Sequence, residues 1–348
     1  MPSAGQDYPG SYAELLAWFP DDAACLDYLE WLRWPSGFRC PRCDGAAGWR
    51  LSSGRWQCSA CAHQASVTAG TIFHRTRTPL RLWFEAAWLM TSQKHGVSAL
   101  GVQRSLGLGS YQTAWAMLHR FRVAMVRPSR DRLSGVVEVD EAYLGGGEDG
   151  VGGRSVATKS TVAIAVEIEE TKGFGRIRLQ RVLDVSKDCL IPFITAAVEP
   201  GATVRTDGWQ AYWTVPEHGY THDRIVMRQQ SDPAHVVMPG VHRVASLLKR
   251  WLLGTHQGRV SPEHLDAYLN EFTFRFNRRR SRRRGLLFYR LLEQAVAADP
   301  ISYRSLIVNP NPTGRKPALP SRPGRVAAVP AVHRPWRHNI TPQRPNLT

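Results

Sequence analysis

Long apolar runs are missing from this 348-residue chain: no stretch approaches the ~18 consecutive apolar residues that a membrane-spanning helix requires. The opening residues, Met1 to Tyr12, lack the basic-then-apolar order of a secretory signal, so a cytoplasmic protein is expected. No internal repeat is visible. Acidic residues are absent from two segments. Arg275 to Arg284 holds seven arginines and no acid, and Ile301 to Thr348 holds seven arginines, Lys316 and no acid. The formal net charge is +16, yet outside these segments the chain nets only about +1. Basic charge gathered on a near-neutral body suggests a polyanion partner, DNA or RNA, engaged by phosphate neutralisation, although a solvated charge run would look the same.

What is present is ordinary globular material, 43% hydrophobic, in a chain long enough for two or three domains. The expected class is multidomain α+β. A helical lead-in fills 1–35, a zinc ribbon 36–72, a helix-turn-helix-like segment 78–128 and a mixed α/β domain 135–298. From Asn309 onward nine prolines and no acid predict a disordered basic tail over 309–348.

Four of the six cysteines form two C-x2-C pairs, Cys40-Pro-Arg-Cys43 and Cys58-Ser-Ala-Cys61, fourteen residues apart. Each pair makes a knuckle that aims two sulfurs at one ion, and the spacing is that of a tetrahedral four-thiolate Zn2+ site. Two disulfides are the alternative, disfavoured in a reducing compartment. Trp49-Arg-Leu and Arg55-Trp-Gln predict the connecting hairpin. Four thiolates leave no open position on the metal, so the ribbon's zinc is structural. Cys25 and Cys189 sit in apolar surroundings and are expected to be packed thiols.

Thr78-Pro79 predicts a helix start, with Leu80, Trp83, Phe84, Ala87, Trp88 and Met90 on its core face. Ser98 and Ser110 then cap two helices around Gly107-Leu-Gly109. Trp115, Leu118, Phe121 and Met125 form the stripe of the second, with His119, Arg120 and Arg122 alongside. This is a helix-turn-helix pattern that an ordinary helical hairpin shares.

Val136 to Leu144 predicts a strand carrying Asp140, followed by a Gly-rich loop from Gly145 to Gly153. That loop lacks the G-K-[ST] ending and the following helix of a phosphate loop. Strands over 161–168 and 176–185, a helix from Ser186 to Val198, a strand ending at Asp207, a strand over 224–227 and a helix over 239–253 follow. This is the element order of an RNase H-like domain, whose first and fourth strands are neighbours and bring Asp140 and Asp207 together. Two converging carboxylates suit Mg2+ or Mn2+ and the in-line displacement of a phosphodiester oxygen.

The segments Val-Asp-Glu-Ala-Tyr-Leu-Gly-Gly around Asp140, Thr-Asp-Gly-Trp-Gln-Ala-Tyr around Asp207, His242 to Thr255 and Tyr268 to Arg279 resemble bacterial insertion-sequence transposases of the ISXO type. The resemblance runs from Ser11 to Ala298 and leaves the tail outside. It implies a DDE-type domain with Asp140 and Asp207 as its first two acids, acting on double-stranded DNA at terminal inverted repeats as a homo-oligomer in the nucleoid. It also implies a Lys at Lys249, contacting a phosphate beside the cut. The third acid is where the pattern departs: the family has Glu or Asn there and this chain has His242, 35 positions after Asp207. A neutral imidazole favours Mn2+ over Mg2+ and brings no negative charge. Glu271 is the nearest acidic rival, expected instead to pair with Arg275 along a helix. Lys249, Arg250, Arg275, Arg278 and Arg279 are the expected DNA contacts. A DNA-binding descendant of a transposase with impaired catalysis is the alternative function.

Overall fold

The computed structural model describes residues 2–127, 130–145, 159–169, 173–226, 231–258 and 260–308. The expected tail over 309–348 and most of the Gly145 to Gly153 loop lie outside them. The described chain forms two compact units, one running to Met125 and resumed at Ser281, the other Val126–Arg280.

The first unit opens with α1 (Tyr12–Trp18) and α2 (Asp22–Arg33). Ser11 and Asp21 cap them by accepting from Glu14 N–H at 3.1 Å and Ala24 N–H at 2.9 Å. The strands β1 (Gly48–Arg50), β2 (Trp56–Cys58) and β3 (Gln64–Ala65) make a three-stranded antiparallel sheet, with Arg50 opposite Trp56 across the expected hairpin. Then come α3 (Leu80–Ser92), α4 (Ala99–Ser105) and α5 (Tyr111–Ala124). Ser98 caps α4 as expected, accepting from Gly101 N–H at 3.0 Å. Ser110 does not cap α5; its hydroxyl bonds Gln112 Oε1 at 2.7 Å instead.

The second unit holds β4 (Val136–Leu144), β5 (Ser160–Glu169), β6 (Gly173–Val182), α6 (Lys187–Ala197), β7 (Thr203–Thr206), β8 (Thr221–Arg224), α7 (Ala234–Val237), α8 (Pro239–His256) and α9 (Leu265–Phe276). Its five-stranded sheet has the order β6-β5-β4-β7-β8, antiparallel through β6, β5 and β4 and parallel through β4, β7 and β8. The fifth strand lies three residues earlier than expected. Thr221-His-Asp-Arg pairs with Thr203–Thr206 on an edge where little is buried, so the strand needs no apolar residues.

Side-chain alternation gives this sheet two covered faces. Val137, Val139, Ala163 and Ala165 pack under α6 with Tyr212 and Val215. Ala142, Leu144, Ile164 and Val166 pack with α8 and α9 residues such as Val241, Val244, Leu248 and Phe272 on the other.

The chain then returns to the first unit with α10 (Arg284–Ala297) and α11 (Tyr303–Val308). Residues 281–298 had been expected in the mixed α/β domain. They pack elsewhere because the apolar face of α10 finds an aromatic cluster: Phe288 meets Phe84 at 5.8 Å and Tyr28 at 6.5 Å, and Phe19 meets Phe84 at 4.6 Å.

Candidate functional site

The cysteine quartet is the simplest site to build. The Sγ atoms of Cys40, Cys43, Cys58 and Cys61 all lie within 4.8 Å of one another, with Cys40 to Cys61 and Cys43 to Cys58 at 3.6 Å. Tetrahedral Zn2+ with bonds of about 2.3 Å requires sulfurs about 3.8 Å apart, so the four thiols fit the ion. The backbone N–H of Cys61, opposed by burial and helped by that of Ala60, brings the Cys58 thiol down to about 7, while Cys43, against the pull of the Gly45 N–H, is pushed up to about 12 by hydrogen bonds with the Cys61 and Cys58 thiols. Cys25 is buried and Cys189 half-buried against the α6 core, as packed thiols.

The carboxylates are placed by strand register. β4 and β7 are parallel neighbours with Glu138 opposite Arg205; two residues further, Asp140 lies within β4, which runs on to Leu144, and Asp207 lies just past the end of β7. Alternation puts both on the α8 face. Gly208 turns the chain away immediately, with φ +80, and Asp207 Oδ1 accepts from Trp209 N–H at 2.9 Å. Glu141 points to the opposite face, where its carboxylate accepts from the Tyr212 hydroxyl at 2.9 Å. Burial first and the charge of Asp140 second push Glu141 up to about 8. Burial also pushes the Tyr212 hydroxyl well up, with Glu141, Asp140 and Asp207 adding to it, so three carboxylates lie close enough to act on this hydroxyl.

The helix carrying His242 and Lys249 is held by a residue outside the expected set. Glu138 is fully buried, and its Oε2 accepts from Gly240 N–H at 2.8 Å and Val241 N–H at 3.1 Å in the first turn of α8. Burial pushes its carboxyl up against the pull of those bonds and of Arg205, 4.0 Å away. Arg205 is held in turn by Asp223 at 2.7 Å. His242 is half-buried, and burial, then His235 and Lys249, push its imidazole down, which keeps it neutral near pH 7. Lys249 and Arg250 are exposed. Among the described residues, the cysteine quartet alone gathers three or more metal-binding side chains within 4.8 Å; the donor atoms of Asp140, Asp207 and His242 do not close to that spacing. Glu271 is buried in α9.

Three expected DNA contacts have other attachments. Arg279 donates to the carbonyls of Phe174, Gly175 (3.0 Å) and Phe276 (3.0 Å) and stacks over Phe276, tying the end of α9 to β6. Arg278 donates to Phe274 O at 3.2 Å and lies over that ring, and Arg275 is half-buried. The basic residues of α5 also turn inward: His119 and Arg122 are buried, and Arg120 donates to Ile301 O at 3.0 Å. Sequence reasoning missed Glu138 and Glu141. The available signal was three acids in a nine-residue strand, Val-Val-Glu-Val-Asp-Glu, too apolar to be a surface edge.

Residues 132–277 match the family described as the ISXO2-like transposase domain, and residues 20–64 match the transposase zinc-ribbon domain. A protein of the transposable element ISH50 from Halobacterium salinarum is 26% identical over 276 residues, 74% of this chain and 91% of that one. A chain in the cryo-EM structure of the simian T-cell lymphotropic virus intasome in complex with PP2A regulatory subunit B56 gamma covers 54% of this chain and 67% of its own length at 12% identity. The TM-score is 0.28. No helix among the described residues is long and apolar enough to cross a membrane.

Proposed function

We propose that this chain, which belongs with the insertion-sequence transposases of the ISXO type, cleaves double-stranded DNA at terminal inverted repeats and joins the freed 3′ hydroxyl to target DNA. One observation carries the proposal: Asp140 within β4 and Asp207 just past the end of β7 each lie two residues beyond the paired Glu138 and Arg205 of these parallel strands, inside the matched transposase domain. The sheet order β6-β5-β4-β7-β8, with its first three strands antiparallel, supports reading that domain as RNase H-like.

Asp140 and Asp207 would hold Mg2+ or Mn2+, and the ions would supply activation of the attacking oxygen and stabilisation of the leaving one. The neutral His242 would orient the ion or the substrate, and it suits Mn2+. Exposed Lys249 and Arg250 on α8 would meet the phosphates beside the cut, and DNA as substrate places the work in the cytoplasm. Two copies would be needed to bring two element ends together.

Cleavage and joining of a labelled duplex carrying the element's own end tests this, in Mg2+ and in Mn2+, with Asp140→Ala, Asp207→Ala and His242→Ala beside the unaltered protein. The expected result is activity that both aspartate changes abolish and that is higher in Mn2+. His242 in place of the family's acid or amide also supports a second reading, a DNA-binding protein that no longer cuts. Binding to the end without cleavage in either metal would establish that reading and end the first.

A further inference from the structure

We infer that Glu138 is a positioning residue: it docks the first turn of α8 onto β4 and so sets the register between Asp140 on the strand and His242 on the helix. The inference rests on the transposase reading for the reaction it serves, but the contact itself rests on geometry alone.

The helix α8 has no cap of its own. Its cap position is Met238, which makes no side-chain bond to the first turn, Pro239 follows, and there is no acid in that turn. The free N–H groups of Gly240 and Val241 are satisfied across the unit by one carboxylate oxygen of Glu138, 102 and 103 residues away in sequence. Both ends of this contact are tightly fitted. A Cβ on residue 240 would lie 2.8 Å from Glu138 Oε2, so glycine alone lets helix and carboxylate approach. On the strand side, Arg205 lies opposite Glu138 in register, 4.0 Å from its other oxygen, and Asp223 fixes Arg205.

Position 138 faces Val166 and Ile168 in an apolar layer, where an aliphatic side chain would pack without desolvating a charge. What an aliphatic residue cannot do is select which two amides of α8 meet the strand. Asp140 lies two residues beyond Glu138 on the same face, and His242 lies two residues beyond Gly240. Sliding α8 by one residue would advance it about 1.5 Å and turn it about 100°, moving His242 relative to Asp140. The clamp therefore fixes a helix-borne ligand against a strand-borne one, which general packing of α8 against the sheet would leave free to slip.

The test compares Glu138→Ala and Glu138→Gln with the unaltered protein by amide hydrogen exchange over 239–244 and by cleavage of the end duplex. Glu138→Ala is expected to lose protection at 239–244 while 203–206 keeps it, to bind the end within about threefold, and to cut it about a hundredfold more slowly, the loss that a displacement of about 1 Å produces. Glu138→Gln keeps one acceptor oxygen and is expected to recover both readouts in large part, which also serves should the alanine variant fold poorly. Unchanged protection at 239–244 in Glu138→Ala would overturn the clamp. Lost protection with cutting at the original rate would overturn its positioning role. Altered protein that binds no DNA in proportion to its slower cutting would make Glu138 merely structural. Absence of cutting by the unaltered protein would instead strike the transposase reading, and the exchange result would still decide the clamp.

Discussion

Gly240 has no room for a side chain, because a Cβ there would meet both Glu138 Oε2 and Ile168 Cδ1 at 2.8 Å. Alanine is ordinarily the better helix former, so a surface helix would gain from the change. Here the helix must move off the sheet or Glu138 must leave its two amides, and either outcome outweighs the propensity. Gly240→Ala should therefore destabilise the second unit by about 1–3 kcal/mol, as overpacking of a filled core does. Urea unfolding at matched protein concentration measures it; a gain in stability would mean that the approach of α8 to β4 is looser than the contact distances state. Glu138 itself was not legible as a partner of Gly240. An acid in a strand looks like a solvent-facing residue, and nothing local announces a bond to an amide more than a hundred positions away. Asp140 and Asp207 stood out in the sequence because the first sits within an apolar strand and the second closes a short one just before Gly208.

At the scale of elements, strong periodicity was readable and weak periodicity was not. The largely apolar Val136–Leu144 and Ser160–Glu169 identified central strands, and α8 followed from its helical spacing. The edge strand β8 was misplaced because its sequence, Thr-His-Asp-Arg, has no apolar alternation and is held by backbone pairing and by polar side-chain bonds to β7, from Asp223 to Arg205 and between His222 and Thr206. The departure of α10 to the first unit was invisible for a different reason: its apolar face shows that it packs, not on what. The ribbon is the element whose stability depends on chemistry beyond the chain. Its strands have three, three and two residues, and its core is little more than Phe38, Cys40, Cys58 and Ala65 with Trp34 and Trp56 against them. Strands so short do not persist on their own. Structural zinc supplies on the order of 10–16 kcal/mol to small thiolate folds near pH 7, so the metal holds this one together. Removing zinc with a chelator, or replacing Cys58 with Ser, should abolish amide protection between Arg39 and Ala65 and leave that of β4 to β6 intact. A ribbon that stays protected without metal would sink this account.

Charge is the property of the whole molecule that the structure redistributes most. The sequence places two acid-free basic segments on a near-neutral body, and both looked equally able to meet a polyanion. The folded unit engages part of the first: Arg278 and Arg279 bond carbonyls and lie over rings, and Arg280 pairs with Glu169 at 2.8 Å. Desolvation shows in the same place, where burial pushes Arg279 down. Guanidinium groups engaged in this way contribute less to phosphate neutralisation than their number implies. The second segment keeps six arginines and Lys316 beyond Val308, outside both matched domains. Sequence-independent affinity for DNA should therefore depend strongly on that stretch. With roughly 0.9 counterions released per neutralised phosphate, a chain ended after Val308 should show a slope of log affinity against log salt shallower by up to about 6. Its unfolding transition should not move, because no residue of either described core is removed. Affinity for random duplex measured from low to physiological salt checks this. A slope that survives truncation would return the binding to Lys249, Arg250 and the arginines at the end of α9, and with it the phosphate contacts to the surface around Asp140 and Asp207.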